Sequence, residues 1–173
     1  MGRDIIALDD LTINNVGVLK KINEVTVGTN YPQSWYDSIL KSSDSIVKLA
    51  YYSEIPIGGM KAKTFNNSQS KSNFQEVISS NISNKTPNCV YIESFAILKA
   101  YQSLGVGSKL LTWLIEETKS RFIHEIIVHL HTDNKKAIEW FEKKGFKQLT
   151  EIKDYYKDQG LENPDAYLHS LTV

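Results

Sequence analysis

The order of strand-like and helix-like segments predicts an α/β protein of the α+β kind, with helices packed on a central sheet. Two observations carry that prediction. Strand formers cluster in an early hairpin over 46–52 and 55–65, and two strand–loop–helix units follow at 90–118 and 125–144. At 173 residues and 41% hydrophobic content, the chain is the size of one domain with a full core. It therefore reads as a single domain over 1–173.

Residues 4–8 form a short first strand. Thr12 can cap a helix whose apolar positions Val16, Leu19, Ile22 and Val25 fall three apart. Residues 27–32 break it, and a second short helix runs from 33 to 40. Only Ser53 and Glu54 separate the two hairpin strands. Between 66 and 88, 12 of 23 residues are Asn or Ser, the composition of a flexible insertion. Its bland reading, a tolerated surface loop, fits the low closure cost of long loops. A strand over 90–98, a loop over 99–107 and a helix over 108–118 follow. After a strand at 125–131, Asp133 or Asn134 caps a helix that Gly145 stops. Strands over 146–152 and 166–172 close the chain, with Tyr155 and Tyr156 in the loop between them.

Twenty basic and twenty acidic residues leave no formal net charge, so nothing overall points to nucleic acid or an anionic membrane as partner. The lone Cys89 has no thiol to pair with, which suits a reducing compartment, the cytoplasm or the nucleus. The N-terminal residues carry no signal-peptide pattern, and Ile6 stands where a myristoylation motif wants Ser or Thr. No apolar run approaches the ~18 residues that cross a bilayer.

Residues 102–107, Gln-Ser-Leu-Gly-Val-Gly, sit between a strand and a helix, where glycines let backbone approach a ligand and the helix N-terminus favours an anion such as pyrophosphate. A P-loop needs Gly-Lys-Ser/Thr, but Ser108 and Lys109 come in the reverse order. A dinucleotide fingerprint needs a third glycine where Leu110 stands. What remains is Gln/Arg-x-x-Gly-x-Gly, or an ordinary strand–helix turn.

Read with residues 134–146, Asn-Lys-Lys-Ala-Ile-Glu-Trp-Phe-Glu-Lys-Lys-Gly-Phe, that loop resembles the two hallmarks of the GNAT acetyltransferases. Residues 48–51, 90–92, 127–129, 155–157 and 165–166 are further similar to the San, or NatE-type, N-terminal acetyltransferases. The resemblance covers the chain from about Ile5 onward, apart from 66–88. It implies a GNAT fold, a mixed and mostly antiparallel sheet flanked by helices. Acetyl-CoA is the implied cosubstrate, without a metal, and protein N-termini the implied substrates. Other N-terminal acetyltransferase subunits and the ribosome are the implied partners.

The resemblance also assigns residues. Tyr91 and His129 match its catalytic positions. Phe95, Ala96, Ile97, Gln102, Ser103, Leu104, Gly105, Val106, Gly107 and Ser108 match the coenzyme strand and loop. Asn134, Ala137 and Phe141 match the second coenzyme region. Tyr31, Tyr155 and Tyr156 match positions that hold the substrate. Val27, Gly28 and Thr29 replace the usual Phe-Pro-Val of the substrate loop, and Glu93 stands where an apolar residue is usual. Glu93 is thereby expected to favour a polar or cationic early side chain. Phe141 replaces a common Tyr, removing a hydroxyl near the thioester.

An α-amine titrates near 7.7–8.0, so much of it is neutral close to pH 7 and a modest base suffices. His129 can take its proton directly or through one water, with Tyr91 relaying, and a backbone N–H around 95–97 can hold the oxyanion. His129 and His131 share a strand face, a metal-like arrangement without a third ligand. Lysine or small-amine acetylation and a non-catalytic coenzyme-binding scaffold are the rival functions.

Overall fold

The computed structural model describes residues 5–26, 31–41, 45–65, 88–152 and 165–173. The insertion expected at 66–88 lies outside them except for Asn88. Its strands form a seven-stranded sheet in the order β1-β2-β3-β4-β5-β7-β6. These are β1 (Ile6–Asp9), β2 (Ser45–Tyr52), β3 (Ile55–Phe65), β4 (Cys89–Ile97), β5 (Glu125–His131), β6 (Lys147–Ile152) and β7 (Ala166–Thr172). The helices are α1 (Val16–Thr26), α2 (Gln33–Ile39), α3 (Val106–Ser120) and α4 (Lys135–Lys143). Strand β4 pairs β5 in parallel, and β1–β2, β2–β3, β5–β7 and β6–β7 are antiparallel. No helix among the described residues is long and apolar enough to cross a membrane.

The chain divides into two compact units. The first joins Met1–Lys63 with Glu93–Glu117. Its core gathers Leu11, Leu19, Ile22, Tyr36, Ile39, Leu49 and Ala96. Leu19 and Ile22 are the three-apart stripe read from the sequence, now turned inward. The helix begins at Val16, four residues after Thr12. Thr12 instead holds a turn, its Oγ1 accepting from the Asn14 amide at 3.2 Å.

The second unit joins Thr64–Ile92 with Thr118–Val173. Here β5 is buried from Ile126 to Leu130 and half-buried at its ends, so its apolar run is near-continuous, as in a strand covered on both faces. The choice of cap for α4 falls on Asn134, whose Oδ1 accepts from the Ala137 amide at 3.2 Å. Gly145 ends the helix at φ +101°, a left-handed conformation that side chains resist. The Gly145 amide donates to Glu142 and the Phe146 amide to Phe141, closing a Schellman turn with the Phe141 and Phe146 rings 5.1 Å apart. Cys89 is fully buried at the start of β4, and burial together with the Glu125 carboxylate pushes its thiol well above the usual range.

Candidate active site

In the second unit, the parallel ladder between β4 and β5 comprises Val90↔Ile126, Tyr91↔Ile127 and Ile92↔Val128. Tyr91 is its middle residue on β4, and His129 follows its last residue on β5. Pairing Tyr91 with Ile127, and the two-residue strand period, turn Tyr91 and His129 to the same face. Tyr91 Oη and His129 Nδ1 share a hydrogen bond of 2.9 Å, their rings edge to face at 5.3 Å. Both side chains are buried, and burial pushes the imidazole down to about 4. His129 is therefore neutral across the physiological range and can accept one proton while offering another. The neighbouring His131 uses its Nδ1 to accept from the Asp133 amide at 3.1 Å. No group of three His, Cys, Asp or Glu side chains among the described residues could hold a metal ion.

In the first unit, β4 leads through a 3₁₀ turn, Lys99–Tyr101, into residues 102–105 and then α3. Gln102 Nε2 donates to the Ile97 carbonyl at 3.0 Å, tying the loop to the strand end. Ser103 and Gly105 both take positive φ, +72° and +87°, winding the chain tightly ahead of the helix. Val106 and Gly107 join Ser108 in the first turn of α3 rather than the loop, because the helix starts two residues earlier than expected. No acidic side chain lies in that turn itself to compete for its dipole. Lys109 Nζ donates to the Ile6 carbonyl at 2.7 Å. The Leu98 amide donates to the Ile57 carbonyl at 2.7 Å, so strand alternation turns the Ile97 N–H to the edge of β4 away from β3.

The same unit brings two expected substrate residues together across 62 positions. Tyr31 Oη donates to the Glu93 carbonyl at 3.0 Å. The Tyr31 ring stacks on Trp35 at 4.2 Å, and Lys61 Nζ lies 5.6 Å from the Trp35 ring centre. Lys61 Nζ meets Glu93 Oε2 directly, and Lys63 Nζ lies 3.4 Å from Oε1. Burial, and the adjacent Lys63 charge, lower the Lys61 amine to about 7 against the pull of the Glu93 carboxylate.

The acetyltransferase (GNAT) family model matches residues 18–146. The chain belongs to the GNAT acetyltransferase family. As a GNAT enzyme it is 27% identical over 164 residues to N-alpha-acetyltransferase 50 of Danio rerio, covering 94% of this chain and 86% of that protein. It is also 27% identical to the probable N-acetyltransferase san of Drosophila melanogaster, over 100% of this chain and 84% of that one. Among solved structures, Arabidopsis thaliana Naa50 in complex with the bisubstrate analogue CoA-Ac-MVNAL superposes with a TM-score of 0.78 at 25% identity. That match covers 98% of this chain and 99% of the other. The San and NatE resemblance and the GNAT sheet expected from the sequence are both met.

Of the remaining expected site residues, Val27, Gly28, Thr29, Tyr155 and Tyr156 lie outside the described residues. Ala96, Ile97 and Phe141 are buried, while Leu104 and Asn134 are exposed. Sequence reading missed Lys61 and Trp35. The signal for Lys61 was its alternation with Lys63 on one side of β3. Trp35 had no counterpart signal, because it meets Lys61 only through tertiary packing.

Proposed function

We propose that this GNAT enzyme transfers the acetyl group of acetyl-CoA to the N-terminal α-amine of proteins and peptides. The buried Tyr91–His129 hydrogen bond at 2.9 Å is the observation that carries the reading. The names of the relatives support an α-amine acceptor: one is an N-alpha-acetyltransferase, and the Arabidopsis protein was solved with a CoA-linked peptide analogue.

The residues present fit the coenzyme. The turn made by Ser103 and Gly105, and an α3 N-terminus without acidic side chains, suit a pyrophosphate. A Cβ added at Gly105 would meet no atom nearer than 4.0 Å, so there is room beside the loop. Residues 95–97, 102–108, Asn134, Ala137 and Phe141 are the proposed contacts. When bound, the coenzyme supplies the activated acetyl thioester. The chain's own work is to hold a neutral amine and remove its proton. His129 is held neutral by burial, so it accepts that proton's hydrogen bond directly or through one water, and Tyr91 relays it. The Ile97 N–H, turned to the free side of its strand from β3, is a suitable donor to developing oxyanion charge. On this reading 1–173 remains one acetyltransferase domain with 66–88 as an insertion. It works in the cytoplasm or nucleus, with other N-terminal acetyltransferase subunits and the ribosome as partners.

The test uses purified protein, acetyl-CoA and two peptide sets, with products read by mass. One set has a free Met N-terminus and no lysine; the other has a blocked N-terminus and one lysine. Product confined to the first set supports the proposal. Product confined to the second makes this a lysine acetyltransferase, and coenzyme binding without product from either points to a small-amine acceptor or a scaffold.

A further inference from the structure

The cluster around Glu93 changes what the site can recognise. Glu93 follows Tyr91 by two residues in the sequence of β4, at a position where the family resemblance implies substrate contact. The Glu93 side chain is 14% exposed, Lys61 6% and Lys63 26%, so the cluster is deep but opens to solvent at its rim. A buried ion pair costs desolvation that mutual attraction rarely recovers, and two methionines would fill the space without that cost. The presence of the pair therefore calls for a use.

Two lysine amines meet one carboxylate here, and each of them donates hydrogen bonds and gains a third hydrogen when an incoming anion holds it charged. Glu93 is already matched by Lys61, which works against the cationic preference expected from the sequence. A cationic newcomer would meet two like charges. An apolar one would strip water from charged groups and return no hydrogen bond. An incoming carboxylate would complete a four-membered alternation of charge and take donors from the lysines. We propose that the Lys61–Glu93 pair, with Lys63 beside it, is a specificity element. It selects substrates with an acidic side chain at the first or second residue and disfavours large apolar ones. Trp35 and Tyr31 are positioning residues for it, one beneath the Lys61 amine and the other bonded to the Glu93 backbone. The proposal rests on the N-terminal reading above.

The experiment measures kcat/KM on lysine-free peptides, identical beyond their second residue, that begin Met-Glu, Glu, Met-Leu and Met-Arg with free N-termini, beside one blocked lysine peptide. The expected result is a preference of about tenfold for an acidic peptide over Met-Leu and Met-Arg, the size of one charge-assisted hydrogen bond. Glu93→Gln removes the competing carboxylate and should widen that preference. Lys61→Met with Glu93→Met should reverse it toward Met-Leu, with acetyl-CoA binding by calorimetry as the check on folding. If the double variant does not fold, Glu93→Gln decides. A wild-type preference for Met-Leu or Met-Arg, or an acidic preference that Glu93→Gln abolishes, overturns the proposal and leaves N-terminal acetylation standing. Turnover of the blocked lysine peptide alone sinks both.

Discussion

Lowering the pH from about 7 to about 5, below the pKa of the α-amine, should slow kcat/KM along a single line of slope one, with no break near 6.5. The reasoning starts from two groups. A peptide α-amine with a pKa near 7.8 is roughly one-seventh neutral at pH 7, and that fraction falls tenfold per unit below it. An ordinary histidine would add a second limb near 6.5. Burial pushes His129 down to about 4, so charging it inside the fold costs about 3 kcal/mol more than in water. Its limb therefore lies below the range where the protein is assayed. The assay is a pH series of initial rates with saturating acetyl-CoA and a lysine-free peptide, for wild type and for His129→Ala. The variant should lose roughly 10²–10⁴-fold in rate while keeping the slope. A wild-type break near 6.5 that vanishes in His129→Ala would falsify the neutral-histidine account. The same shift has a stability consequence. The folded pKa is lowered from 6.5, so the stabilising contribution is complete above about 6.5 and is lost as pH falls toward 4.

Gly145→Ala forces a side chain into φ +101° with its Cβ 3.2 Å from Leu171 Cδ1, and should cost about 1–2 kcal/mol, lowering Tm by roughly 2–8 °C. An unchanged melt would mean that the turn relaxes. Asn134→Ala removes the cap on the Ala137 amide and should cost about 1 kcal/mol by urea denaturation; Asn134→Asp should recover most of it. Glu93→Met alone leaves the deep Lys61 amine without its carboxylate and should destabilise by about 2 kcal/mol, less than a fully buried pair because Glu93 is partly exposed. Adding Lys61→Met should restore that loss, and additive losses in the double variant would refute the coupling.

Much of this was readable from local chemistry. The stripe of Leu19 and Ile22, the hairpin turn at Ser53 and Glu54, and the Gly145 stop each follow from residues within a turn or two of one another. The start of α3 was misjudged by two residues because glycine at 107 reads as loop, yet a first helical turn tolerates it. The hydrogen bond between Tyr91 and His129 needed the register of β4 against β5, which no single segment encodes. Nor did composition disclose how far burial lowers the imidazole. Glu93 was visible as a departure from the family, but its meaning came from β3, where nothing local marks Lys61 and Lys63 until the sheet brings them onto one carboxylate.

Cys89 offers a practical opening. It is the chain's one cysteine, and its thiol is both buried and held protonated at the root of β4. Alkylating reagents should find almost nothing to react with while the protein stays folded. The natural sequence is thus already a quiet background for single-site labelling. A thiol introduced at exposed Lys136 would carry the only dye, and substrate or coenzyme binding could be followed without first engineering a cysteine away.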